Sequence, residues 1–296
     1  MAGFANVGEY ANADGLGQCW ITGFRKTVAS AATTTNAWID YSYFPGSPPA
    51  NFYASAPSVA ARVESDKGFR VPTVSPMTQH LKTVNVMTAN TASAVNARQR
   101  LILCDYLLYY PFIDTDAIGE TQLMTNTVDD PIVPSIPRYA AGRVIAVAQS
   151  AASTIGNFTF TYTNQDGVGG RVSQAHSTFV VAGGGQVVSA DGVGASYNPY
   201  LALQSGDTGV KSIESVLFTG AGGGLMALVI VKPLFNGYVT QECRAALGAA
   251  DEFRTVIDSA GAPRIIDGAV LNFFAEGTQG SLASSQLVGF IETLWN

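Results

Sequence analysis

Charge is what this chain has least of: Asp, Glu, Lys and Arg make up 13% of its 296 residues, with only two histidines and three cysteines beside them. An ordinary soluble domain carries roughly twice that charged fraction. Its polar surface must therefore come from Ser, Thr, Asn, Gln and exposed backbone, and little is left from which to assemble an acid–base centre. The formal charge is -6, and no basic run is longer than Arg25-Lys26. Nucleic-acid affinity rests on clustered Lys and Arg, so that partner is excluded. Cys19, Cys104 and Cys243 are widely spaced and form no CxxC pair. Three buried free thiols in a reducing compartment fit this pattern, with one disulfide among them as the alternative. The start has no basic segment followed by an apolar one, so no secretory signal is expected. The apolar stretches Leu101–Ile113 and Leu225–Leu234 are interrupted by Asp105 and Lys232 and are too short to cross a bilayer as helices, which excludes a membrane partner of that kind.

What the chain does have is 31 glycines and 47% apolar residues. That combination suits strands joined by tight turns, and the length supports a core without disulfide or metal. Arg100–Ile113 is apolar at nearly every position and predicts a strand buried on both faces, though periodicity alone leaves a buried helix open. Phe158, Phe160 and Tyr162 alternate with threonines, and Asn164-Gln165-Asp166-Gly167 supplies turn residues after them. Ala37–Tyr43, Arg143–Gln149, Phe179–Ala182, Gln186–Ala190, Tyr200–Gln204, Val210–Thr219 and Leu225–Val231 are further strand candidates. Thr240–Ala250 reads as a short helix, Ser55–Val63 as a helical turn, and Thr73–Arg100 as a weakly periodic polar stretch. Arg254–Asp258 and Ile265–Ala275 look like a hairpin, with a last apolar stretch at Leu287–Trp295. The fold class that follows is mainly β, with sandwich or jelly-roll-like modules and few short helices. Residues 1–20, broken by Gly3, Gly8, Gly15 and Gly17, predict an irregular arm that packs on its own domain or on a neighbouring subunit. The prolines at 131, 134 and 137 place a boundary, giving an N-terminal β module over 21–136 and a C-terminal β-sandwich module over 137–296.

Chemical motifs are sparse. No GxSxG elbow accompanies His80 or His176, and each reads as a strand or surface histidine. Gly183-Gly184-Gly185 and Gly222-Gly223-Gly224 lack a following Lys-Ser/Thr and predict turns between strands. Asp114-Thr115-Asp116-Ala117-Ile118-Gly119-Glu120 resembles the start of a calcium loop, yet Ile118 and Thr125 stand where ligands are needed. It reads as a solvated acidic loop, and Asp129-Asp130 as a polar turn. Asn157-Phe158-Thr159 reads as an ordinary strand triplet. No cofactor, metal or catalytic residue is expected.

The run Met1–Tyr10 leading to Trp20 and Phe24-Arg25-Lys26, together with Trp38-Ile39-Asp40, Asn51–Ser55 and Gly223–Leu234, resembles virion structural proteins of tailed bacteriophages. The resemblance implies a non-enzymatic decoration or cement protein on the outer head surface, made in the host cytoplasm. Its partners would be the major capsid protein and further copies of itself, in a homo-oligomer such as a trimer. The partner-binding residues would be Phe4, Tyr10 and Trp20. A tail, collar or host-contact component, with Tyr197 and Tyr200 as contact aromatics, is the alternative within the same particle. A β-fold carbohydrate-active enzyme using Asp114 or Asp116 is the alternative outside it.

Overall fold

The computed structural model describes residues 4, 6–28, 37–90, 99–126, 139, 141–178, 180, 183–188, 198–239, 252–255, 262–277 and 285–296. In chain order these form helix α1 (Val7–Gly15) and strands β1 (Cys19–Thr27), β2 (Trp38–Asp40), β3 (Gly46–Ser47), β4 (Gln79–Asn90), β5 (Gln99–Asp114), β6 (Thr121–Leu123), β7 (Arg143–Ala148), β8 (Asn157–Asn164), β9 (Arg171–Val172), β10 (His176–Ser177), β11 (Val187–Val188), β12 (Val210–Phe218), β13 (Leu225–Val239), β14 (Glu252–Thr255), β15 (Arg264–Ile265), β16 (Leu271–Gly277) and β17 (Ser285–Trp295). The protein is mainly β, with antiparallel sheets in a sandwich-like arrangement.

The central sheet runs β11-β7-β13-β5-β16-β2. Its axis is the long β5–β13 ladder, in which β5 is buried almost throughout and β13 is buried over 226–231 and opens toward solvent beyond Lys232. Three register shifts interrupt the ladder, and each keeps the two faces apart. Leu101 and Leu103 face one side and Ile102, Cys104 and Tyr106 the other; an extra residue at Leu107 then lets Leu108 and Tyr110 return to the first side while Tyr109 stays on the second.

Two further sheets cover that first side. The sheet ordered β10-β8-β12-β6 packs Phe158, Phe160, Val216 and Phe218 over Leu108, Tyr110, Leu228 and Ile230. The sheet ordered β14-β4-β17-β1-β3 packs Phe24, Leu81, Val84 and Leu287 over Leu101, Leu103, Phe235 and Phe273. The second side is covered by loops, whose Tyr53 and Val63 meet Ile102, Tyr106, Val229 and Phe274.

The sheets join segments far apart in sequence. β1 pairs with β17, β4 with β17, and β5 with both β13 and β16. The expected boundary prolines at 131–137 and the helix expected over 240–250 lie outside the described residues, as do Tyr197 and Cys243. Within the expected irregular arm, residues 7–15 are helical. The Asn6 side chain accepts a hydrogen bond from the Glu9 amide at 3.0 Å, capping the first turn, and Gly17 closes the last one at φ +69°. Among the described residues the expected hairpin of 254–258 with 265–275 is replaced by other pairings: β14 and β15 both pair with β4, and β16 lies between β5 and β2. Alternation identifies strands but not their partners. Ser55–Val63 is a turn and bridge segment without a helix, and residues 201–203 alternate in burial while crossing the sheet as a loop.

Candidate functional site

The residues expected to bind a partner sit on the N-terminal face, where α1 leads into β1. Phe4 is half-buried, edge-on to Tyr10 at 5.3 Å and against His80 of β4 at 5.4 Å. Tyr10 is also half-buried, and burial raises its hydroxyl pKa. Both rings thus pack on the chain's own body. α1 is further tied down by Lys82, whose amine bonds Asp14 at 2.6 Å and Glu292 at 2.9 Å. Cys19 stands beside this pair of carboxylates, close enough for the three side chains to surround a cation. The ammonium of Lys82 already supplies that charge.

Trp20 is different. It is 41% exposed, and its indole N–H donates to the Thr22 hydroxyl at 2.9 Å. Its neighbour Ile21 is 59% exposed, and Val7 and Leu16 on α1 are more open still. The alternation of β1 explains Ile21: Phe24 and Lys26 point inward and are buried, whereas Ile21, Gly23 and Arg25 point out, and Trp20 lies on the face of Phe24 and Lys26 but is left open near the start of the strand. Sequence inspection selects Trp20 but misses Ile21, because the inward turn of Lys26 inverts the usual reading of which side of β1 is wet.

Lys26 is fully buried. Its amine donates to the carbonyls of Phe44 at 3.0 Å and Pro49 at 3.2 Å, and desolvation lowers its pKa to about 8 against the opposing pull of Asp40. Arg25-Lys26 is therefore not a basic patch.

Asp40, at the end of β2, entered the sequence reading only within Trp38-Ile39-Asp40 and with no chemical role, yet it holds a concentrated buried polar cluster on the loop-covered side. Its Oδ1 accepts from the Ser42 amide and the Tyr106 hydroxyl, both at 2.8 Å; its Oδ2 accepts from the Ser42 hydroxyl and the Tyr53 hydroxyl. Complete burial raises the Asp40 pKa, and the four donors hold it back. Burial, and after it the same carboxylate, pushes the Tyr53 and Tyr106 hydroxyls up. All these groups are spent on each other, and the cluster fastens the 40–53 loop to β5. It has the chemistry of a structural pin.

The other sequence candidates resolve into turns and packing. Asp114 accepts from the Asp116 amide, and Asp116 from the Gly223 amide, each at 2.8 Å, so the acidic loop caps itself and the following glycine turn. Gly223 takes φ +74° in that turn between β12 and β13. In the other glycine run, a Cβ on Gly184 would meet the Tyr43 ring at 2.6 Å. His176 is buried against Phe158 and Phe160, and His80 bonds the Ala262 carbonyl at 2.9 Å through Nδ1. Tyr200, expected to be exposed, is half-buried and edge-on to Phe274 at 5.8 Å. Cys104 is buried, but Cys19 is only half-buried, because it begins β1 at the margin of its sheet. No protein-family model matches the chain, and no curated protein or solved structure matches it either.

Proposed function

We propose that the protein is a non-enzymatic structural component of a tailed-phage virion, a decoration or cement protein seated on the major capsid lattice at the outer head surface. The observation that carries this reading is the set of large apolar side chains left exposed at the start of the chain, Trp20 and Ile21 on opposite faces of β1 and Val7 and Leu16 on α1. Large aromatic and aliphatic side chains left exposed on a stable body are candidates for anchoring a protein–protein contact. The resemblance of Met1–Tyr10, Trp20 and Phe24-Arg25-Lys26 to virion proteins supports the same assignment. A protein that binds only the assembled shell stabilises it by mass action at every lattice site. In this reading Phe4 and Tyr10 hold α1 in place, and Trp20 makes the contact. The tail reading gains nothing from Tyr200, which is packed inward, and the enzyme reading nothing from Asp114 and Asp116, which cap turns.

Replacing Trp20 and Ile21 together by serine tests the assignment. Occupancy of purified expanded capsids is expected to fall about tenfold or more, since buried aromatic anchors dominate such contacts, with the circular dichroism spectrum unchanged. Unchanged occupancy by a folded variant overturns it.

A further inference from the structure

β1 is an edge strand over half its length. β3 pairs with it only at Arg25↔Ser47 and Lys26↔Gly46. The chain then leaves through Pro48 and Pro49, which have no N–H with which to extend a ladder. On this outer side the Thr27 amide donates to the Pro45 carbonyl, whereas on the inner side Gln18 accepts from Trp295 of β17. Backbone groups alternate in direction along an antiparallel strand. Arg25, Gly23 and Ile21 therefore turn their N–H and C=O outward with Thr27, and the residues between them bond to β17. At Gly23 and Ile21 no strand among the described residues meets those groups.

Beside this open edge lies a cleft of about 670 Å³, lined by Thr22, Gly23, Pro48, Phe69, Arg70 and Pro72 among other residues. The inward side chains of β1 form its continuation: Phe24 stacks on Phe69 at 4.7 Å, and the Thr22 hydroxyl donates to the Arg70 carbonyl. A strand added along Ile21 and Gly23 would send alternate side chains into the cleft and the others to solvent. Gly23 leaves the approach clear, for a Cβ there would meet nothing nearer than the Gly289 carbonyl at 3.8 Å. The charges of the lining select the occupant. Asp66 is engaged by Lys67 at 3.5 Å, whereas Arg70 is exposed and has no ion pair among the described residues.

We propose that this edge and cleft form a peptide-binding site that takes an extended acidic segment of a partner protein by strand addition, pairing with Ile21 and Gly23 and placing an Asp or Glu opposite Arg70. Main-chain pairing supplies the affinity, and the alternate side chains in the cleft supply selectivity. The proposal adds a mode of recognition to the face assigned above, and its test needs no capsid, so either can fail without the other.

The test selects binders from a random eight-residue peptide library on the full chain, then measures the best peptide by fluorescence anisotropy and amide exchange. Acidic sequences rich in β-branched residues are expected, with the Ile21 and Gly23 amides newly protected. Gly23→Pro removes an outward N–H that β17 does not use, and should weaken binding about tenfold, the scale of one lost backbone hydrogen bond at the upper end of its range. Arg70→Glu should weaken it similarly for acidic peptides, and Leu123→Ser, on the far sheet, should leave it unchanged. Failure to enrich any peptide over the Gly23→Pro protein overturns the proposal. So does binding that Gly23→Pro leaves intact, or a dimer of the chain that Gly23→Pro dissolves.

Discussion

One face of the β5–β13 ladder lies under two sheets, and the other lies under loops. The sheet-covered side is filled mainly by Leu, Val, Ile and Phe, with scattered buried polar groups such as Asp105, whose carboxylate accepts from the Val270 amide at 2.9 Å, and Tyr110, whose hydroxyl donates to Asn126 at 2.7 Å. The loop-covered side needs Asp40, Tyr53, Tyr106 and Ser42, and also Gln149, which bonds the Phe112 amide and the carbonyls of Phe52 and Tyr53. Strands satisfy their backbone groups in ladders and can cover a core with apolar side chains alone. An irregular segment has no ladder, so it is held by side-chain acceptors set in the floor beneath it.

The comparison can be broken from either side. Phe218, fully buried and stacked on Phe158 at 5.2 Å, belongs to the sheet cover. Phe218→Ala should cost about 3–5 kcal/mol in urea unfolding, the usual range for emptying an aromatic core site. On the loop side, Asp40→Ala should cost about 3 kcal/mol by stranding buried hydroxyl donors, and Tyr106→Phe about 1 kcal/mol by removing a single bond. A loss below 1 kcal/mol for Asp40→Ala would show that the loop cover is held by packing instead.

pH sharpens the contrast. The folded pKa of Asp40 lies above its unfolded value, so its proton-linked stability is present below the unfolded value and is lost as pH rises through the folded one. The stability difference between wild type and Asp40→Asn should therefore be greatest below about pH 4 and shrink as pH rises through the raised folded value, while the cost of Phe218→Ala stays nearly level. Asp207 runs the other way. Its bonds from Arg171, then Tyr162, lower its pKa to about 2, so its contribution is present above about pH 4 and is lost as pH falls through about 2. Replacing it by Asn should remove part of the acid limb of the stability profile. The smallest effect belongs to the surface: Lys82→Ala should change global stability by less than about 1 kcal/mol, yet should open α1 to limited proteolysis.

How much of this was legible follows the same division. The alternation of Phe158, Phe160 and Tyr162 appears as β8, and Asn164 caps the next turn by accepting from the Asp166 and Val168 amides. The apolar run at 101–113 appears as β5. β4 was hidden within a polar stretch because it buries Gln79, Thr83 and Asn85, and Gln79 donates to Thr293 of β17 at 2.6 Å. A partner more than two hundred residues away leaves no local trace. α1 did leave one, Asn6 followed by Glu9, which the surrounding glycines outweighed. Phe4 and Tyr10 were legible as anchors, though their partner is the chain's own β4. Ile21, the Asp40 cluster and the cleft were not legible, since each depends on loops and strands meeting from distant parts of the chain.

The most direct test of the functional assignment is cryo-electron microscopy of intact particles from the source that encodes this chain. Density in many copies on the outer capsid lattice, with the Trp20 face of β1 against the major capsid protein, is the predicted result. Density confined to the tail or portal axis, or absent from every particle, would contradict the account.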